Sequence, residues 1–295
     1  MLRSQVPKPR SKQWGSDMNT RVTRKAVLIA LATLTLTGCG RQAQDPSRDL
    51  DLLATGPDQE ALPAAPPHVA AAIEATGGLA TWTQCKRLTF DGVVTAYQPD
   101  GSYYLTEHHF YLCPWGNAIQ VSAQEPQTGL ACRIVEGQYR LLDGEGKMDV
   151  SPLSVCYRDY AEAVLQIVTA PARMLRDGAT LVRKPIPVMI SGAWYYPIEA
   201  KFEATKIVSK GLGRDKITVI EPYWTQGVYY QNQNGSLADI IWLGNAAAQK
   251  FLIVRGYDYA RLVKDGTLVP TKIEVFQSDA DGVQGQRLAL IDLKQ

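Results

Sequence analysis

The segment RLTFDGVVTA, residues 87–96, alternates with a period of two. Leu88, Phe90, Gly92, Val94 and Ala96 share one face, and Arg87, Thr89, Asp91 and Thr95 share the other. That is the pattern of an antiparallel strand with one face buried and one wet. Pro99-Asp100-Gly101 supplies a turn, and a second strand-like run follows over 102–113. Runs at 118–123, 130–135 and 139–142 extend the meander. A second series occupies 180–183, 188–191, 193–202, 217–231, 251–262, 270–277 and 286–293. Within it, Asn234-Gly235 between Tyr229-Tyr230 and Ile240-Ile241-Trp242 is the strongest hairpin signal in the chain.

Two segments have helical periodicity instead. Residues 68–85 begin with Val69, Ala72 and Ile73 on one stripe, and Gly77-Gly78 predicts a C-cap before a further turn carrying Leu79 and Trp82. Residues 157–176 place Tyr160, Val164, Ile167, Val168 and Leu175 on one side and Asp159, Glu162 and Arg173 on the other. Pro171 should kink or divide that helix, and Gly178 should end it. A helix, a long meander, another helix and another meander predict an α+β fold, with one large antiparallel sheet and the helices gathered on one face.

The first 38 residues belong to another category. They hold seven of the chain's 31 basic side chains and one of its 29 acidic ones, so the remainder carries 24 against 28, a net charge of −4. A mildly acidic domain lacks the electrostatic footprint of a nucleic-acid binder. From Met18, the expected initiator, run Arg21, Arg24 and Lys25, then eleven apolar-rich residues from Ala26 to Leu36, then Leu36-Thr37-Gly38-Cys39. The three zones match a secretory signal, and the apolar run is well short of the ~20 residues that span a bilayer. Residues 40–67, rich in Pro, Ala, Asp and Gln, have the composition of a disordered tether. Three regions follow: extension and signal over 1–38, modified cysteine and tether over 39–67, and one domain over 68–295.

With Cys39 assigned elsewhere, Cys85, Cys113, Cys132 and Cys156 are an even set in an exported protein, which predicts two disulfides with three connectivities open. Cys113 with Cys132 is the first choice, and four buried thiols are the alternative.

The search for chemistry returns no catalytic constellation. His108 and His109 adjoin on a strand and so point to opposite faces, which disfavours a shared metal. The acidic residues around Asp143, Glu145 and Asp149 do not follow calcium-loop spacing, and Gly211-Leu212-Gly213 lacks the context of a dinucleotide loop. Trp194 with Tyr195-Tyr196, Tyr223-Trp224 and Tyr229-Tyr230 can line a carbohydrate or headgroup groove, but strand packing is the commoner use of such residues. No enzyme activity, metal or cofactor is expected.

Leu36-Thr37-Gly38-Cys39 resembles the lipobox of bacterial lipoproteins. The resemblance implies a diacylglycerol on Cys39 and attachment to a membrane of the cell envelope. Gly40, where inner-membrane lipoproteins carry Asp, implies the outer membrane, facing the periplasm. Ala71-Ala72-Ile73-Glu74-Ala75 with Gly77-Gly78 and Trp82 carries a second resemblance, together with Asp258-Tyr259, Arg261, Gly266, Leu268, Pro270, Ile273-Glu274-Val275 and the final strand. It is to the LolA/LolB-like family of lipoprotein-localisation proteins. That likeness implies an incomplete β-barrel with helices on its concave face and an apolar cavity for a lipid or lipoprotein acyl chain. On this chain the cavity would be lined by Phe90, Val94, Ile119 and Val121 from strands and by Val164, Ile167 and Met174 from the helical lid. Cys39→Ala is expected to abolish palmitate incorporation and membrane fractionation; unchanged labelling would refute the anchor.

Overall fold

The computed structural model describes residues 64–123, 131–135, 138–142, 152–175, 179–209, 216–220, 222–234, 237–261 and 266–294. The lipobox residues Leu36, Thr37, Gly38 and Cys39, most of the tether, the acidic cluster at 143–149 and the glycines at 211–213 lie outside them. All described residues belong to one compact unit, 44–295.

Helices α1 (Pro67–Ala75) and α2 (Leu79–Gln84) lead into β1 (Leu88–Tyr97), β2 (Tyr103–Cys113), β3 (Ala118–Ala123), β4 (Ala131–Val135) and β5 (Gln138–Leu142). Next come α3 (Pro152–Val168) and α4 (Ala170–Met174). The second arm holds β6 (Ala179–Arg183), β7 (Val188–Ile190), β8 (Ala193–Phe202), β9 (Thr205–Ser209), β10 (Lys216–Ile220) and β11 (Gln226–Asn232). It closes with β12 (Ala238–Asn245), β13 (Lys250–Arg261), β14 (Leu268–Ser278) and β15 (Gln284–Lys294).

Thirteen strands form one sheet in the order β5-β4-β3-β2-β1-β15-β14-β13-β12-β11-β8-β6, with β7 also on β8. Every pairing is antiparallel, and the last strand joins the two arms by lying against the first, Gly92 opposite Leu293 and Val94 opposite Ile291. The outer strands β5 and β6 do not meet, so the sheet is an incomplete barrel. At one margin, Lys184-Pro185-Ile186-Pro187 breaks the edge into the short strands β6 and β7. The run read as one strand over 217–231 is two, and β9 with β10 forms a separate ribbon that the hydrophobic pattern did not signal.

The alternation in β1 is realised: Leu88, Phe90, Gly92, Val94 and Ala96 are all buried. A glycine is required at position 92, because a Cβ there would lie 2.9 Å from the Phe110 ring and 3.1 Å from the Asp292 carbonyl oxygen. The turn after α1 is also as read. Gly78 N–H donates to the Ile73 carbonyl at 2.9 Å, and Gly77 and Gly78 both have positive φ. Trp82 fixes the corner: its indole N–H donates to Thr76 Oγ1 at 2.9 Å while Thr76 Oγ1 donates to the Ala72 carbonyl.

Pro171 does divide the second helical segment, separating α3 from α4. The polar side expected for it is not wet, however. Every residue from Tyr160 to Leu175 is buried, including Glu162 at 2% exposure and Arg173 at 7%. The reason is the curl of the sheet. α3 packs against β3 and β4 on one arm and against β12, β13 and β14 on the other. Seven inter-strand steps separate β4 from β12, ~34 Å if flat, whereas a helix of 17 residues is only ~26 Å long. The arms therefore wrap the helix, and its second side meets protein rather than water.

The expected Cys113–Cys132 disulfide is not formed. Cys113 pairs with Ala118, while Cys132 pairs with Val121, three residues further along β3. Two strand steps and three residues put their Cα atoms ~14 Å apart, far beyond the ~7 Å a disulfide spans. Their side chains also point to opposite faces, and burial pushes the Cys132 thiol up to about 12. Gly92→Ala should destabilise the domain by roughly 1–3 kcal/mol in urea unfolding, since Phe110 is fully buried and has no room to yield; an unchanged midpoint would refute that account.

Candidate functional site

Phe90, Val94, Ile119, Val121, Val164, Ile167 and Met174 all belong to one core cluster, each less than 5% exposed. A small cleft of about 10 Å³ lies where α1, α3 and α4 meet β12, β13 and β14. Such a volume holds one water at most. Only Ile167 and Met174 of the seven line it, alongside Ala72, Val168, Leu268 and Pro270.

The helices are seated partly on polar groups. Arg173 donates to Asn117 Oδ1, and its charge lies beside the buried hydroxyl of Tyr229. Gln166 Nε2 donates to Glu162 Oε2 at 3.4 Å, whereas Glu162 Oε1 has no hydrogen-bond partner among the described residues. Burial raises the Glu162 carboxyl, and the Arg173 charge opposes that rise. A dry interface carrying such groups holds less firmly than an all-apolar one of the same area.

His108 points inward against Phe110 and Tyr160, hydrogen-bonded to Thr106 Oγ1 at 2.7 Å, and burial lowers it to about 4. His109 points outward and pairs with Asp91 across the β1–β2 ladder. No group of three metal-ligating side chains converges among the described residues. Of the aromatic pairs, Trp224 and Tyr229 are core, Tyr223 stacks beneath the Arg158 guanidinium at 3.4 Å, and Trp194 is 44% exposed.

A larger pocket, about 410 Å³, opens beside the cleft. Its polar lining includes Tyr195 on β8, Asp239 on β12, and Arg255, Tyr257 and Tyr259 on β13, with Ser191 and Asn232 beside them. A β-bulge creates it. Tyr230 pairs with Ile240 but Gln231 with Ala238, leaving Asp239 as the extra residue, and both Asp239 and Ile240 line the pocket. Burial raises Asp239 to about 6, partly opposed by its hydrogen bond from Tyr259. Gly256 permits that bond, since a Cβ there would stand 3.1 Å from the Tyr259 hydroxyl and 3.0 Å from Pro270. Leu237 and Tyr259 line both the pocket and the cleft, so they form the seam between the two. Sequence reasoning had Asp258-Tyr259 in hand but missed Asp239 and Arg255; a glycine inside a strand, Gly256, was the available signal.

The architecture is an incomplete barrel wrapped on a helix. No protein-family model matches the chain, and no curated protein matches it. Solved structures do. A LolA superfamily protein from Nitrosomonas europaea is 12% identical over 79% of this chain and 93% of its own, with a TM-score of 0.47. A DUF1329 family protein from Desulfovibrio piger is 10% identical over 77% and 90%, with a TM-score of 0.45. An outer membrane lipoprotein-sorting protein domain from Vibrio parahaemolyticus, described as putative, is 8% identical over 71% and 83%, with a TM-score of 0.38. No helix among the described residues is long and apolar enough to cross a membrane.

Asp239 yields a pH signature. Its folded-state value of about 6 lies above the ordinary 3.8, so protonation favours the native state. The contribution is complete below about pH 4 and lost as pH rises through about 6. Thermal unfolding of Asp239→Asn should therefore lack part of the wild-type decline across that window, and parallel pH profiles would refute the assignment.

Proposed function

We propose that the chain is a membrane-anchored envelope lipoprotein, held by a diacylglycerol on Cys39 at the outer membrane and facing the periplasm. Its domain binds a hydrophobic ligand, a lipid or acyl chain, between the sheet and α3–α4 without catalysis. The observation that carries this reading is the apolar cleft at the end of an interface seated on buried Glu162, Gln166 and Arg173. Each methylene entering such a cleft gains ~0.8 kcal/mol. The groups behind it lower the cost of shifting the helices. The names of the structural neighbours, a LolA superfamily protein and a lipoprotein-sorting domain, are consistent with it.

A second reading, an interaction lipoprotein with a solid core, is favoured by the volume of about 10 Å³ in this state. Native mass spectrometry of gently purified protein separates the two. The carrier reading expects co-purifying lipid, reduced at least several-fold in Ile167→Trp, where the indole fills the cleft. A protein free of lipid, and unable to take up added palmitate, would leave the scaffold.

A further inference from the structure

We infer that the pocket bounded by Tyr195, Asp239, Arg255 and Tyr257 receives the zwitterionic headgroup of an amphiphile, of the phosphoethanolamine type, whose tail enters the adjoining cleft past Tyr259. This rests on the acyl-binding reading and adds the ligand class and the route of entry.

The chemistry of the walls selects the headgroup. Arg255 is held by Tyr257, which lies within hydrogen-bonding reach of it, and by the Phe276 ring 5.7 Å from its guanidinium carbon. Its Nε is buried and has no hydrogen-bond partner among the described residues, a donor awaiting an acceptor. A phosphate oxygen suits a guanidinium donor. The Asp239 carboxylate lines the same pocket, with Tyr259 as its hydrogen-bond partner. Glu274, opposite Arg255 across the β13–β14 ladder, balances part of its charge through Tyr257, but a purely cationic group would still leave the Arg255 Nε without an acceptor, and a purely anionic one would meet Asp239 unfavourably. One phosphate and one ammonium answer both, and the Tyr195 and Tyr257 rings offer further faces to the cation. A pocket of about 410 Å³ lies within the roughly 300–1,000 Å³ typical of small-molecule sites.

The seam supplies the amphiphile. Tyr259 and Leu237 are all that the polar pocket and the apolar cleft have in common, and Tyr259 is kept in place by its bond to Asp239. An ammonium that takes the Asp239 carboxylate competes with the Tyr259 hydroxyl for it. Arrival of the headgroup thus releases the residue that separates the two spaces. Gly256 leaves the ring room to rest against the backbone, and any side chain there would block it.

Three probes, each below its micelle concentration, test this on the gently purified full-length protein: lysophosphatidylethanolamine, lysophosphatidylglycerol and palmitate, titrated by calorimetry. The expected result is that lysophosphatidylethanolamine binds about tenfold tighter than lysophosphatidylglycerol. Arg255→Gln and Asp239→Asn should each erase that preference. Equal affinities for the two lysolipids, or a preference that survives both substitutions, would overturn the headgroup site while palmitate binding left the acyl reading intact. Failure of all three probes to bind would overturn both.

Discussion

The ladder between β1 and β15 holds the molecule together. It pairs the first strand of the sheet with the last, so two meanders separated in sequence by the helices become one surface. Because β1 alternates strictly, its register fixes which face of the whole sheet is apolar. The glycine at position 92 lets Phe110 and the β15 backbone close over that point. With both arms tied at the centre and twisted in the same hand, they have no other course than to curl toward the helices.

Curling determines the character of the interior. A helix on a flat sheet keeps one side in water, and its charged residues stay there. Wrapped from both sides, α3 carries Glu162 and Gln166 into the core, with Arg173 following on α4. The aliphatic residues around them form one core cluster, so the interior is continuous yet not uniformly apolar. A second apolar cluster, Ile240, Trp242, Ile253 and Phe276, covers part of the opposite face, with Trp242 stacked on Phe251. The C-terminal arm is thus stiffened from both sides, and the bulge at Asp239 is a local departure within a rigid setting.

Strand alternation, the Gly77-Gly78 cap and the Pro171 break were legible because each is a local effect written in neighbouring residues. The burial of Glu162 and Arg173 was not, since it depends on strands distant in sequence closing over a helix that reads as amphipathic on its own. The Cys113–Cys132 pairing failed for a related reason: proximity in sequence says nothing about the strand that intervenes or which face each thiol occupies. The seven residues named as cavity-lining are buried in one core cluster, and periodicity reads burial without reading whether a buried side chain faces a ligand. Asp239 has no mark among its own neighbours, as its orientation follows from a register shift between β11 and β12, and the one sign of the site, Gly256, lies on another strand. The small ribbon of β9 and β10 pairs away from the main sheet and was also not seen.

An incomplete barrel must leave strand edges unpaired, and such edges are templates on which further copies can add. Here the margin beside β8 is cut by Pro185 and Pro187 into pieces of five and three residues. Prolines offer no N–H to an incoming strand. Lys184, paired with Glu199 at 2.8 Å, places charge at the same margin. The barrel can therefore stay open on that side without its edge recruiting a neighbour. Openness and resistance to polymerisation, usually in conflict, are reconciled by four residues of loop.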